Sequence, residues 1–295
     1  MATGSNNRLG FWRGMFYLLL ATGLILTFLR YAQGLGSVTN LSDQTPWGLW
    51  IGFDLLCGVG LAAGGFVITA VVYIFNIERF RPIVRPTIVT AFLGYLLVIV
   101  ALLLDIGRPW AMWHPLVMWN PHSVMFEVSW CVMLYSTVLF LEFSGMVIEK
   151  VRWNRAARVQ KAVTVPLVIA GVILSTLHQS SLGTVYLIVP GKLHALWYTP
   201  LLPVLFWVSS VGAGLAMVIV ESRLSSRAFG RQLEMPLLSE IGRIMVAVWG
   251  LYAILRLWDL NSRGVLGAAF GGGYEAHMFQ LEFVAFTLLP IVLLA

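Results

Sequence analysis

Long apolar stretches recur along the whole chain and constrain its fold more than any other feature. An α-helix needs about 20 mostly apolar residues to cross roughly 30 Å of hydrocarbon. Eight stretches fit that length, at residues 11–33, 48–76, 87–105, 123–149, 162–189, 195–221, 240–260 and 275–295. None alternates apolar and polar residues as a membrane β-barrel does. The pattern therefore predicts an all-α, polytopic membrane protein with eight transmembrane helices.

Charge is scarce and unevenly distributed, in agreement with a membrane protein. Only 11% of the residues are charged, whereas a soluble domain has about 25%. Basic residues are concentrated in the connections after the second, fourth and sixth spans: Arg79, Arg81, Arg85, Lys150, Arg152, Arg155, Arg158, Lys161, Arg223, Arg227 and Arg231. The alternate connections hold mainly Arg108, Lys192 and Arg263. The positive-inside rule then places the N-terminus in the cytoplasm. Because topology explains the net charge of +6, no nucleic-acid partner is expected.

The chain ends and the cysteines give further expectations. The run 11–33 is too long for a cleaved signal peptide, so an uncleaved first span is expected. The chain ends in LLPIVLLA without a polar flank, and we expect the natural protein to continue beyond this point. Cys57 and Cys131 lie within spans without metal-binding spacing. Two buried thiols and no metal site are therefore predicted.

Ionisable residues within the spans identify a candidate site, because charge in lipid is costly and usually functional. They are Asp54, Asp105, Arg108, Glu127, Glu142, His178, Arg243, Arg256, Asp259, His277 and Glu282. At about 1.5 Å of rise per residue, His178 lies roughly 25 Å from the cytoplasmic start of its span. Apart from Glu142 and Arg243, the others also lie in the outer half or at the outer end of their spans. We therefore expect a one-sided polar pocket rather than a channel.

Some of these residues have a simpler structural explanation. Asp105 and Arg108 are three residues apart, as are Arg256 and Asp259, so each pair can form a local salt bridge.

Asp54 and Glu127 have no local partner and are the better candidates for proton carriers near neutral pH. Tyr135 and Glu142 follow Glu127 on a broad face of the same span. A water chain toward the cytoplasm is a weaker possibility there.

His178 lies in the stretch STLHQSSLG. A membrane b-haem usually needs two axial histidines at matched depth on facing helices. The other histidines, His114, His122, His194 and His277, fall in loops or at span ends. Haem is therefore not expected, and His178 is left to hydrogen-bond either a polar ligand head or a neighbouring helix.

Two other patterns have competing interpretations. The stretch CGVGLAAGG matches a dinucleotide-binding spacing, but it lies mid-span. Gly60 and Gly64 instead predict a helix-packing face. The loop around residues 109–122 is rich in Trp, His and Pro, which fits either an aromatic belt at the membrane surface or a docking surface for an extracytoplasmic partner.

Several blocks in order resemble one known family. TPWGLWIGFDLL, DIGRPW, SVMFE, STLHQSSLG, ILRLWDL and FQLEFVAFTLLP are similar to the NrfD/polysulfide reductase membrane-subunit family, from about residue 34 to the C-terminus. Within it, the blocks resemble in particular the membrane subunits of hydrogenase-2-type [NiFe] hydrogenases.

The resemblance implies a haem-free, quinone-reactive subunit in the bacterial inner membrane, built from two four-helix bundles, here 1–161 and 162–295. The implied quinone is menaquinone. The implied partners are an extracytoplasmic ferredoxin-like iron–sulfur subunit and the large and small hydrogenase subunits. The family's quinone-site positions fall on Trp50, Asp54, Asp105, Arg108, Glu127, His178 and Gln179, with Asp54 and Glu127 as proton carriers. Another NrfD-type oxidoreductase, a passive anchor and, with less support, a transporter are the alternatives.

Overall fold

The computed structural model describes residues 4–42, 44–45, 48–188, 191, 193–230 and 232–295. Within these residues the chain forms helices and no β-strand. Eight helices are long and apolar enough to span a membrane, so the prediction of an all-α, polytopic membrane protein is confirmed. They are α1 (Gly4–Gln33), α2 (Leu49–Tyr73), α3 (Arg81–Asp105), α4 (Val124–Val151), α5 (Asn154–Leu187), α6 (Leu202–Phe229), α7 (Met235–Ser262) and α8 (Tyr274–Leu294). Lys192 and Arg231 of the charge pattern lie outside the described residues.

The helix ends differ from the predicted spans where polar residues continue or interrupt a helix. α5 begins at Asn154 rather than at 162, because the polar segment before the span is rich in Ala, Arg, Gln and Lys, which favour helix. α6 begins at Leu202 rather than at 195. Pro203 lies in its first turn, where proline is tolerated, and the apolar residues before it form turns instead.

The two ends of the helix bundle differ in their connections. The helices α1, α3, α5 and α7 end where long connections follow, and we call this the long-loop end. At the other end, called the basic end, the connections are short, and most of the basic residues lie in them or in the adjoining turns of the helices. There, Arg79 pairs with Glu240 at 2.7 Å and Arg85 with Glu149 at 2.5 Å, all partly exposed.

Among the described residues, apolar side chains form two cores between the helices and a third, smaller cluster that joins α7 and α8 to the turn at Leu196. Side chains of α2 to α5, including Val59, Val98, Leu139 and Leu182, form one core. A second joins α2, α3, α6 and α7 nearer the basic end. The division into bundles 1–161 and 162–295 stays a prediction.

α2 and α6 cross backbone to backbone. A Cβ added to Gly64 would lie 2.4 Å from the carbonyl oxygen of Gly214, whereas one added to Gly60 would meet nothing within 4 Å. The predicted packing face is therefore correct for Gly64 and wrong for Gly60. Gly65 approaches α3 instead, with a Cβ position 2.6 Å from Ala91.

α1 stands apart from the other helices. Its large apolar side chains are exposed, as Phe11, Leu24 and Phe28 illustrate. Its contact with the bundle is at its last turn, where the buried Arg30 and the exposed Tyr31 donate hydrogen bonds to carbonyl groups at the end of α3.

Candidate functional site

A cavity of about 910 Å³ lies among α2, α3, α4 and α5 at the long-loop end. Its volume is within the range of about 300–1,000 Å³ that small-molecule pockets occupy. Most of its wall is apolar, with side chains such as Leu55, Leu102, Val132 and Leu182. Residues of the 35–42 and 106–115 connections complete the wall.

The cavity wall includes a carboxylate and an arginine at one place. Asp105 is the last residue of α3, and Arg108 follows in the next turn. Asp105 Oδ2 is buried and accepts no hydrogen bond from the described residues. The local salt bridge that their spacing would allow does not form among the described side chains. With respect to the described residues, the Asp105 acceptor and the Arg108 cation are therefore available to a ligand in the cavity.

Asp105 has a different cationic neighbour, which the sequence did not identify. Arg30 of α1 lies within electrostatic range of Asp105. Its Nε donates a hydrogen bond of 2.6 Å to the carbonyl of Leu104, and Nη2 donates to the carbonyl of Ile106. An arginine near the end of a span normally indicates an interfacial anchor, so no sequence signal distinguished it.

Asp54 lies beside the cavity wall in an irregular part of α2. Residues Gly52–Cys57 form a π-helical segment, a feature frequent at functional sites. Leu55 and Leu56 of this segment line the cavity, while Asp54 is half-buried and within electrostatic range of Asp105. Trp50 is 60% exposed and does not line the cavity.

A row of buried and half-buried polar side chains extends along α4 and α5 toward the basic end. At its start, Ser181 Oγ donates a hydrogen bond of 2.7 Å to the Glu127 carboxylate. One turn along α5 is His178, fully buried, with Nδ1 at 3.3 Å from the Tyr95 hydroxyl. The Tyr95 ring packs edge-on against Tyr135, with ring centroids 4.7 Å apart.

The row continues past Tyr135. Its hydroxyl lies near Ser175 and Glu142. Within the described part of the chain, His178 Nε2, Tyr135 Oη and Ser175 Oγ are buried without a hydrogen bond. Unsatisfied buried polar atoms are rare in proteins and require an explanation.

Comparison with known proteins identifies the family. The family model described as "Polysulphide reductase, NrfD" matches residues 37–295. The chain belongs to the NrfD family. A protein of Nitratidesulfovibrio vulgaris, named only "Protein", is 44% identical over 279 residues, covering 91% of this chain and 71% of the relative.

Two further relatives of this NrfD-family chain have informative names. The "Probable Ni/Fe-hydrogenase 2 b-type cytochrome subunit" of Escherichia coli is 32% identical over 286 residues, which covers 95% of this chain and 72% of the relative. The "Menaquinone reductase, integral membrane subunit" of N. vulgaris is 31% identical over 259 residues, 84% of this chain and 61% of the relative. The chain is thus an NrfD-type membrane subunit of a membrane-bound oxidoreductase.

The predicted site residues of this NrfD-family chain occupy three kinds of position. Asp105 and Arg108 line the cavity. Glu127 and His178 belong to the polar row behind it. Gln179 donates a hydrogen bond of 3.2 Å to the backbone carbonyl of Val59 in α2, so its amide joins two helices. Tyr95 and Ser175 of the row were missed, because tyrosine and serine are inconspicuous in an apolar span.

The charged residues of α7 form a separate cluster. Asp259 pairs with Arg263 at 2.6 Å and accepts a hydrogen bond of 2.5 Å from Thr199. Arg256 donates to the carbonyl of Leu196 at 3.0 Å. The local pair between Arg256 and Asp259, one of the two interpretations of their spacing, does not form among the described side chains, because Arg263, one turn beyond Asp259, pairs with the carboxylate. Glu282 accepts a hydrogen bond from the Trp197 indole at 2.5 Å. Each of these groups thus contacts the turn around residues 195–199, and together they fix it.

The connection between α3 and α4 exposes a group of apolar side chains at the long-loop end. They are Trp110, Trp113, Leu116, Val117, Met118 and Trp119. Trp113 also lines the cavity. The surface beside the candidate site is thus apolar and aromatic, which fits both a membrane-surface belt and a protein interface.

Proposed function

We propose that this chain is the haem-free, quinone-reactive membrane subunit of a respiratory [NiFe] hydrogenase complex. In that role it receives electrons from an extracytoplasmic ferredoxin-like iron–sulfur subunit and passes them to membrane quinone. The observation that carries the proposal is the apolar cavity with the unpaired Asp105 carboxylate and Arg108 in its wall.

The chemistry of the cavity wall fits a quinone. A quinone has an apolar ring and tail and two carbonyl oxygens, and it takes up two electrons and two protons when it is reduced. Apolar side chains such as Leu102 and Val132 suit the ring and tail. Arg108 is placed to donate hydrogen bonds to a carbonyl oxygen and to stabilise negative charge on it. Asp105, with Asp54 nearby, is placed to hold a proton for transfer.

The names of relatives support this substrate class and favour menaquinone. One relative is named as a menaquinone reductase subunit. Another, from Archaeoglobus fulgidus, is named as an Hdr-like menaquinol oxidoreductase subunit and is 24% identical over 228 residues. The hydrogenase partner is supported by the name of the E. coli relative.

The partner surface belongs to the same proposal. In our proposal the long-loop end faces the extracytoplasmic side of a bacterial inner membrane, and the aromatic surface around Trp110 and Trp119 contacts the iron–sulfur subunit. A cluster docked there would be on the side where the cavity lies, which keeps the distance for electron transfer short.

The polar row provides a route by which protons could reach the cavity from the basic end. In this route Glu142 takes up a proton at the inner part of α4. The hydroxyls of Tyr135 and Ser175 then relay it to His178, and Glu127 delivers it to the cavity. The unpartnered atoms of the row are positions where ordered water can bridge polar groups. Proton uptake from the cytoplasmic side would conserve energy.

His178 supports the haem-free part of the proposal. One ring nitrogen faces the Tyr95 hydroxyl, and the other histidines of the described chain lie in connections or near helix ends. Two facing histidines at one depth, as membrane b-haems use, are not brought together in the described residues. A reducible b-type Soret band in the purified complex would overturn this part.

The proposal is tested in the intact purified complex by comparing hydrogen oxidation with quinone and with an artificial dye. Arg108→Gln and Glu127→Gln are expected to lower the quinone-dependent rate by at least about tenfold while dye reduction stays at the wild-type level, because a lost charged hydrogen bond costs about that much. Glu275→Gln is the matched control, since Glu275 is also in the first turn of a helix but is exposed. Unchanged quinone rates in both site variants would refute the function.

A second candidate is the quinone subunit of another NrfD-type oxidoreductase. It is favoured by the nearly equal identity to the menaquinone reductase subunit, 31% against 32% for the hydrogenase relative. The proteins that copurify with an affinity-tagged chain decide between the two. Hydrogenase subunits support the first candidate, and a different catalytic subunit supports the second.

A further inference from the structure

We propose that Arg30 is a positioning residue for the cavity, which holds two parts of its wall in place from outside. This inference rests on the proposed quinone function. Arg30 lies on α1, outside the helices that form most of the cavity wall, and it does not itself line the cavity.

Arg30 fixes the end of α3 on both sides of Asp105. Its two hydrogen bonds go to the carbonyls of Leu104 and Ile106. The last carbonyls of a helix lack partners within the helix, and a cation near them is favourable. The fork of a guanidinium can satisfy two carbonyls at once, which an ammonium group does less well. Since Asp105 lies between the two carbonyls, its backbone is held on both sides.

The same contact fixes the turn that carries Arg108. At Ile106 the backbone leaves the helical conformation, with φ −73° and ψ 126°. The chain then passes through Gly107 to Arg108, and all three residues line the cavity. Because Arg30 binds the carbonyl of Ile106 at the point where the helix ends, it sets the direction in which this segment leaves α3.

Arg30 also anchors the other end of the cavity wall. Directly after α1, Leu35, Gly36, Leu41 and Ser42 return to line the cavity. The exposed apolar side chains of α1 leave little packing to hold this connection. Arg30 and the neighbouring Tyr31, whose hydroxyl donates to the carbonyl of Leu103 at 2.9 Å, therefore tie the 35–42 connection to the end of α3.

The burial of Arg30 supports a specific role. The side chain is only 5% exposed, although an arginine at the end of a spanning helix can usually reach the membrane surface. A buried cation is expensive unless its donors are satisfied and opposite charge is near. Two donors of Arg30 bond the carbonyls of Leu104 and Ile106, and the Asp105 carboxylate supplies opposite charge nearby.

The test uses the intact complex and separates affinity for quinone from turnover. Arg30→Gln, Arg30→Lys and Arg108→Gln are compared with the wild type for KM and kcat toward a short-chain menaquinone analogue, and for dye reduction. Arg13→Gln is the matched control, because Arg13 lies on the same helix and is exposed. We expect Arg30→Gln to raise KM on the order of tenfold, the size of a charged hydrogen-bond loss, with a smaller change in kcat and none in dye reduction.

The conservative variant keeps the inference testable if Arg30→Gln does not assemble. Arg30→Lys retains the charge but not the fork, so it is expected to raise KM by about threefold, between the wild type and Arg30→Gln. If Arg108→Gln raises KM, the cavity is the quinone site. In that case a wild-type KM in Arg30→Lys, or in an assembled Arg30→Gln, overturns the positioning role. A wild-type KM and kcat in Arg108→Gln as well would instead show that the cavity is not the quinone site, and both proposals would fail.

Discussion

At the scale of single residues, the buried charges of this chain divide into satisfied and unsatisfied groups. Asp259 has both a cationic partner and a hydroxyl donor, whereas Asp105 Oδ2 has no hydrogen bond among the described residues. Both aspartates have an arginine three residues away with which a local salt bridge was one interpretation, and neither pair forms among the described side chains. Residue spacing shows which side chains of one helix are close enough to pair. It cannot show that a cation from another helix, such as Arg30, lies near the Asp105 carboxylate.

Asp259→Ala should destabilise the chain strongly without acting at the cavity. Removing Asp259 takes the carboxylate away from the half-buried Arg263 and the acceptor away from the Thr199 hydroxyl, and we expect the free energy of unfolding to fall by about 2–3 kcal/mol. Thermal unfolding of the purified protein in detergent measures the effect. Glu78→Gln breaks the exposed pair with Arg81, at 2.6 Å, and should cost less than about 1 kcal/mol. Equal losses in the two variants would contradict the structural role of Asp259.

At the scale of helices, hydropathy predicted the number and order of the spans but not their internal geometry. The π-helical segment Gly52–Cys57 changes which side chains of α2 face the cavity, and it carries Asp54. A window of apolar residues has the same mean hydropathy in an α-helix and in a π-helix. The candidate carboxylates could therefore be found from the sequence, while their distribution between cavity wall and polar row could not.

Helix packing gives a sharp pair of variants at Gly64 and Gly60. Gly64→Ala would place a methyl group 2.4 Å from a backbone oxygen of α6, and this overpacking is expected to cost about 1–3 kcal/mol. Gly60→Ala meets nothing within 4 Å and should be neutral or stabilise by up to about 1 kcal/mol, because alanine is the better helix former. Thermal unfolding midpoints measure both. A destabilised Gly60→Ala beside an unchanged Gly64→Ala would contradict the crossing.

At the scale of the whole molecule, the two ends of the bundle differ in chemistry. The basic end carries most of the arginines and lysines, and the long-loop end carries the cavity and the exposed aromatic connection. The sequence predicted this asymmetry because charged residues, both in the connections and in the spans, can be identified from the sequence alone. The contact between α1 and the cavity could not be predicted from the sequence. It is formed by Arg30, which donates hydrogen bonds to backbone carbonyls 74 and 76 residues away.

The orientation of the chain is the prediction that belongs to the whole molecule. The positive-inside rule predicts that the basic end is cytoplasmic and therefore that the long-loop end faces outward. Two single-cysteine variants test this after Cys57 and Cys131 are replaced by alanine. Asn120→Cys is in an exposed position at the long-loop end, and Asn154→Cys is in an exposed position at the basic end. A membrane-impermeant maleimide should label only the first in spheroplasts and both after solubilisation in denaturing detergent, which also removes any partner covering residue 120. Labelling of Asn154→Cys alone in spheroplasts would invert the topology. It would also move the cavity to the cytoplasmic side, away from an extracytoplasmic electron donor.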